Sequence, residues 1–268
     1  MLEFKIVSPS EIPDGDLVSA MRRMEFTGLV VKNFLSATDL KEVRENLGQL
    51  VQIENVKEHL TFPESFSRDV KLDDYLGSSA AHGSSVEKLF EPNLLKKMEE
   101  LIQKISGGKK VQVPDSGKGK YLRGTFRIIH PLKCHIDIHC GNQFFSQFPD
   151  VYKNLTATVD VENQLSFFIL LQKPDDGGEL VVYDALWNDY EQGFVDRQTL
   201  LSRKGFEVAV NDPSLLREQV KMGEGDLLVF QGGQFWHKVS EVLGSKHRIT
   251  FGGFIGFSKN DEAVYYWS

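Results

Sequence analysis

In the stretch Lys133 to Phe145, KCHIDIHCGNQFF, two histidines, one aspartate and one glycine occupy alternate positions: His135, Asp137, His139 and Gly141. Side chains on a strand alternate between faces with period two, so the spacing predicts that all four point the same way. Two metal motifs then overlap. His135 and Asp137 form His-x-Asp, the first half of the two-His-one-carboxylate triad that holds non-haem Fe(II). His139 and Gly141 form His-x-Gly, the same arrangement with its carboxylate missing. The first register would suit hydroxylation; the second leaves a coordination position for another ligand.

Two residues further along complete a candidate site. His237 follows a Gly-Asp-apolar run and a turn in GDLLVFQGGQFWHKVSEV, which delivers an imidazole at the start of a strand. Arg248 comes eleven residues later, and its planar fork suits a carboxylate. Taken singly, a histidine on a strand is usually structural and a lone arginine usually forms a surface ion pair. His59, His82 and His130 keep that bland reading, and His247 falls on the face opposite Arg248. The ordered set is more specific. Two neutral imidazoles hold Fe(II) on one side, leaving the other positions for 2-oxoglutarate and O2, while arginine fixes the far carboxylate of the co-substrate. Other signals fall away: GKGK at 117–120 lacks the Walker spacing, and Ser166 with His139 lacks a nucleophile elbow.

The elements that must position these residues change in character along the chain. Residues 1–109 read as a mainly helical flank. SATDLKEVRENLGQLVQ places Ser36 as a cap before Leu40, Val43, Leu47 and Leu50/Val51. NLLKKMEELIQKISGG runs from a potential cap at Asn93 to a stop at Gly107-Gly108. Between them LGSSAAHGSS, 76–85, reads as a loop, either on the surface or serving as a lid. From 110 to 268 come seven or eight short strands rich in β-branched and aromatic residues, divided by turns such as Pro174 to Gly178. This pattern predicts a mainly β fold with flanking helices: a double-stranded β-helix of the jelly-roll or cupin kind, whose mouth is a small-molecule pocket.

With 268 residues and no linker-like tract, a single domain over 1–268 is expected. A net charge of -7 gives no global footprint for a nucleic-acid polymer. Only two cysteines occur, Cys134 and Cys140, read as small buried thiols on the strand face away from the histidines. Neither a signal pattern nor an apolar run of about 20 residues is present, so a cytoplasmic protein without membrane attachment is expected.

Several stretches resemble the stand-alone Fe(II)/2-oxoglutarate halogenases that chlorinate hapalindole-type and welwitindolinone-type alkaloids. They are HCGNQF at 139–144, NQLSFFILL at 163–171, GGELVVYDALWN at 177–188, residues 225–258, and the terminal YYWS. The likeness runs from roughly residue 95 to the last residue and is fainter before. It implies the His139 register, because that family carries His-x-Gly-Asn followed closely by phenylalanine, as in His139, Gly141, Asn142 and Phe144. By the same resemblance His139 and His237 would be the iron ligands, Gly141 would leave room for chloride on the metal, and Arg248 would clamp 2-oxoglutarate. Ser166 matches a serine that biases the outcome towards halogen transfer. Phe144 and Arg127 fall where the family lines its substrate pocket. A carrier protein would not be required.

Two features depart from that family. Asp137 stands where a small apolar residue is expected, which keeps a hydroxylase through His135 and Asp137 as the alternative, beside a cupin-like binding protein without catalysis. Lys118, Lys120, Arg123 and Arg127 form a local basic cluster in an acidic chain. Such a run is usually a solvated face; functionally it would steer an anionic substrate, such as a nucleotide, in place of an alkaloid-like one.

Overall fold

The structure, a computed structural model, describes residues 2–63, 70–89, 93–195, 198–203 and 206–268. Eight strands build its centre: β1 (Thr125–Ile129), β2 (Ile136–His139), β3 (Leu165–Gln172), β4 (Leu180–Leu186), β5 (Arg217–Val220), β6 (Leu227–Phe230), β7 (Phe235–Val239) and β8 (Arg248–Phe257). They pair antiparallel in two sheets, ordered β1-β8-β3-β6 and β5-β4-β7-β2. Two facing four-stranded sheets are the double-stranded β-helix that the strand-rich pattern predicts.

Alternation along the strands of the larger sheet explains the two-sided burial. Leu165, Phe167, Ile169 and Leu171 of β3, with Ile249, Phe251, Ile255 and Phe257 of β8, face a core shared with the helices. Ser166, Phe168, Arg248 and Thr250 occupy the intervening positions and reach the space between the sheets. Both faces are covered, so these strands read as nearly continuous apolar runs.

The helices Ala37–Leu50 and Asn93–Ile105 pack on the outer face through Leu40, Val43 and Leu47 and through Leu94, Met98 and Ile102. Ser36 caps the first in a reciprocal box with Asp39, with bonds of 3.1 and 3.0 Å. The second ends where Gly107 and Gly108 take positive φ, and Gly108 N–H donates to Gln103 O at 2.8 Å.

Several expectations need correction. Residues 76–85 are not a loop but lie inside the helix Leu72–Leu89. Tyr75, Leu76, Ser79, Val86 and Leu89 are buried along one side of it, and its small residues permit close packing. Tyr75 Oη accepts Leu122 N–H at 2.9 Å and donates to the Ser268 carbonyl. The N-terminal flank also supplies strands: Gly28–Val31 extends the larger sheet beyond β6, Phe4–Val7 lies parallel to it, and His59–Phe62 pairs with β1. A further three-stranded sheet, Glu191–Val195, Gln198–Arg203 and Phe206–Ala209, is an insertion that composition did not reveal. Its Leu201 and Val208 pack with Ile138, Tyr183 and Trp236 on the outside of the smaller sheet. Of the cysteines, Cys140 is buried but Cys134 only partly so. No helix among the described residues is long and apolar enough to cross a membrane.

Candidate metal and co-substrate site

His139 ends β2 and His237 sits within β7, and the two residues are direct partners across that antiparallel pair. Their ring centroids lie 4.2 Å apart with planes inclined at 58°. Each ring is oriented by its own backbone: His139 Nδ1 is 2.8 Å from Asp137 O and His237 Nδ1 is 2.9 Å from Phe235 O. A carbonyl can only accept, so Nδ1 carries the proton and Nε2 keeps the lone pair that a metal needs. Burial pushes His139 down to about 4 and His237 well below the usual imidazole range, and the nearby Arg127 guanidinium adds to both shifts. Both rings are therefore neutral at pH 7, as ligation requires.

A register shift decides what else joins them. Between the pairs His237↔His139 and Val239↔Ile136, β2 advances three residues while β7 advances two. This bulge breaks the strict alternation. Ile136 and His139 both line the internal cavity, whereas Asp137 turns to solvent with 69% of its side chain exposed. There it meets His135 Nε2 at 3.0 Å. The expectation that His135, Asp137, His139 and Gly141 share a face is thus corrected.

Gly141 is not on the strand either; it opens the helix Gly141–Gln147. Its N–H donates to Gly232 O at 2.7 Å, Asn142 N–H donates to Gly233 O at 3.1 Å, and Gln164 Nε2 donates to Gly141 O at 2.8 Å. A Cβ on Gly141 would stand 3.0 Å from both Gly232 O and Gly233 Cα, tighter than ordinary contact. Among the described residues no group of three or more His, Cys, Asp or Glu is placed to hold a metal. The local donor set is two neutral imidazoles beside a glycine, and it fits an iron centre that takes its remaining ligands from outside the protein.

The cavity around them, about 600 Å³ including its opening to solvent, is lined by Arg127, Phe144, Ser166, Phe230, Arg248 and Phe254 among others. The structure therefore brings together every residue that the resemblance implies for the site. Arg248 is buried; its Nε–H donates to Gly178 O at 2.7 Å and its guanidinium carbon lies 5.3 Å from the Phe168 ring centre. Burial, then the charge of Arg127, lowers it to about 10, which leaves it cationic at neutral pH. Arg127 lies on β1 opposite Thr250, and among the described residues no carboxylate forms an ion pair with either arginine. The Phe144 ring is 5.8 Å from His139.

The basic cluster divides: Lys118, Lys120 and Arg123 border one surface cleft, apart from Arg127. Lys118 pairs with Asp73 at 2.8 Å, Arg123 pairs with Glu87 and Glu99, Lys120 is exposed, and only Arg127 reaches the cavity. His82 packs edge-on against Phe62, and His130 and His247 likewise meet edge to face. The turn expected before His237 falls at Gly232-Gly233, but nothing local in the sequence shows what its two glycines pack against. A Cβ on Gly232 would lie 2.3 Å from Ser166 Oγ, and one on Gly233 would lie 2.1 Å from Gln164 O. Only glycine lets this turn pass between them. Buried Gln164, which secures Gly141, had no sequence signal at all.

Comparison with solved structures places the chain in a known fold class. An N-substituted L-amino acid dioxygenase from Burkholderia ambifaria AMMD aligns over 92% of this chain and 89% of its own, with a TM-score of 0.50 and 14% identity. The same enzyme in complex with alpha-KG aligns over the same shares, with a TM-score of 0.50 and 15% identity. A 2OG-Fe(II) oxygenase family oxidoreductase from Burkholderia pseudomallei covers 100% of both chains with a TM-score of 0.51 and 12% identity. The fold is that of the 2OG-Fe(II) oxygenases, enzymes whose jelly-roll core this chain shares. Within that class, the model of the carrier-protein-independent halogenase WelO5 family matches residues 1–268, and the chain belongs to that family. Comparison with curated proteins gives no match.

Proposed function

We propose that this protein is an Fe(II)/2-oxoglutarate-dependent halogenase that chlorinates an unactivated aliphatic C–H of a free small molecule, without a carrier protein. The observation that carries this reading is the donor set: His139 and His237 paired across two strands, with Gly141 where a carboxylate would complete the triad. When bound, iron with 2-oxoglutarate and O2 supplies an oxidant able to remove hydrogen from carbon, and chloride on the metal supplies the atom delivered to the radical.

The chain's own residues divide the remaining work. His139 and His237 would hold the metal through Nε2. Gly141 brings no negative side chain to the adjoining position, so a halide neither competes with a carboxylate nor meets its charge. The terminal nitrogens of Arg248 would bind the far carboxylate of 2-oxoglutarate, since Nε is engaged by Gly178 O. Ser166 lines the same cavity and would offer its hydroxyl to the reacting groups, and Phe144, Phe168, Phe230 and Phe254 would exclude water from it. Among the described residues Arg127 faces the same space without a carboxylate partner, which favours a substrate with an anionic group over a wholly apolar alkaloid.

Anaerobic addition of Fe(II) and 2-oxoglutarate, with and without chloride, tests the proposal. A metal-to-2-oxoglutarate absorption band that chloride perturbs is the expected result. A band indifferent to chloride, or turnover that gives only hydroxylated product in saturating chloride, would overturn it.

A further inference from the structure

Arg248 lines two cavities. One is the histidine cavity; the other has a volume of about 1140 Å³ including its opening to solvent, and Phe168 and Leu180 also border both. The second cavity runs outward between the Pro174 to Glu179 turn and β5 with its following loop. Its lining differs in kind from the first. Lys32, Lys173 and Lys221 stand along it with Arg248 at its inner end, against a single carboxylate, Glu179. The hydroxyl of Ser240 donates to that carboxylate at 2.7 Å. With Lys32 paired to Asp226, three cations, Lys173, Lys221 and Arg248, face the one lining carboxylate, a local reversal of sign in a chain of net charge -7.

The partition between the cavities is thin and specific. Gly178 has a φ of +70°, and a Cβ there would lie 3.1 Å from Arg248 Cδ and 2.8 Å from Pro174 Cγ. Glycine thus lets the turn lie against the arginine stem while its carbonyl accepts Nε–H. The buried cation at the junction, without a carboxylate partner among the described residues, also borders the lysine-lined cavity, whose lining includes Phe168 but not Phe144, Phe230 or Phe254.

We propose that this lysine-lined channel is the entry and exit route for the dicarboxylate co-substrate and its product, separate from the opening used by the organic substrate. The proposal rests on the reading of Arg248 as the 2-oxoglutarate clamp. A dianion is drawn along a cleft whose walls carry one sign of charge, and its rate of arrival then depends on those charges and on ionic strength. Lys173 and Lys221 are exposed and form no side-chain ion pair among the described residues, so their charge is available for steering. Lys32 is engaged by the buried carboxylate of Asp226 and serves a structural role as well.

The test is the association rate of 2-oxoglutarate with the Fe(II)-loaded full chain, followed anaerobically by stopped flow through the absorption band. In the double variant Lys173→Glu/Lys221→Glu, association at low salt should fall about tenfold or more, with dissociation unchanged and the salt dependence of the wild type reduced or reversed. The control Lys118→Glu/Lys120→Glu, the same charge change away from the channel, should associate at the wild-type rate. A double channel variant that associates as fast as the wild type, or no faster or slower than the control, overturns the route while leaving the clamp intact. If the wild type forms no band at all with 2-oxoglutarate, the co-substrate reading itself falls, and the route with it.

Discussion

Asp137 and His139 lie two residues apart on one strand yet face different worlds. The bulge in β2 sends Asp137 to solvent, 3.0 Å from His135, and turns His139 inward against His237. A carboxylate that periodicity puts beside the metal is thereby removed from it.

That separation predicts opposite outcomes for two alanine variants. Asp137→Ala should retain iron stoichiometry and the 2-oxoglutarate band, because the side chain touches neither His139 Nε2 nor the cavity. His139→Ala should lose the band, leaving one imidazole where two are needed. Iron analysis after gel filtration, with anaerobic spectra, distinguishes them; loss of the band in Asp137→Ala would return the iron to the His135 register.

Gly141 allows charge and size to be tested apart. Gly141→Ala must push against Gly232 O and Gly233 Cα, both 3.0 Å from the new Cβ, at a cost of about 1–3 kcal/mol. Thermal unfolding should report this as a loss of roughly 2–4 °C per kcal/mol. Gly141→Ala should nevertheless keep the chloride response, whereas Gly141→Asp, with the same Cβ and a carboxylate besides, should lose it.

Acid should weaken the metal-free protein through the same histidines. Burial lowers His139 to about 4 and His237 well below its ordinary value, so below about pH 6.5 the unfolded chain binds protons that the folded one refuses. The stability these groups contribute is present above pH 6.5 and is lost as pH falls towards 4, by up to about 1.4 kcal/mol per pH unit for each ring. Urea unfolding at pH 7 and pH 5 measures it, and His139→Asn should make the dependence shallower.

Arg248→Met removes the fork while keeping much of the apolar stem. Loss of a buried charge that meets a carboxylate costs about 2–5 kcal/mol, so 2-oxoglutarate affinity should fall by between about thirtyfold and a few thousandfold. Arg248→Lys should recover only part, because a point charge cannot both reach Gly178 O and present two coplanar donors. Titration of the absorption band gives both constants.

Tyr75→Phe addresses the helix that replaced the expected loop. Without the hydroxyl, the buried Leu122 N–H and the Ser268 carbonyl lose a partner together. An unsatisfied buried group costs about 1–3 kcal/mol, and the midpoint of urea unfolding should fall without a change of slope.

By itself the sequence determined the jelly-roll core, because apolar and β-branched runs broken by Gly, Asp and Pro admit few other arrangements. It also determined the order of His139, Gly141, His237 and Arg248, since residue identity and spacing along a chain are local facts. The resemblance implies the His139 register, but why that register faces inward is a matter of tertiary structure: the bulge in β2 exists relative to β7, nearly a hundred residues away. The same holds for Gln164 holding the Gly141 carbonyl and for the glycine turn at 232–233, where close approach between distant backbones selects the residue. The stretch 76–85 became helix because Tyr75 and Ser79 find partners at Leu122, Ser268 and Lys120, overriding its composition. The basic run at 118–127 divided for a related reason: Lys118, Lys120 and Arg123 border a surface cleft, the first and last paired with carboxylates, while strand geometry turned Arg127 alone into the histidine cavity. Local pattern selects the elements; register, bulges and long-range partners decide which side chains meet.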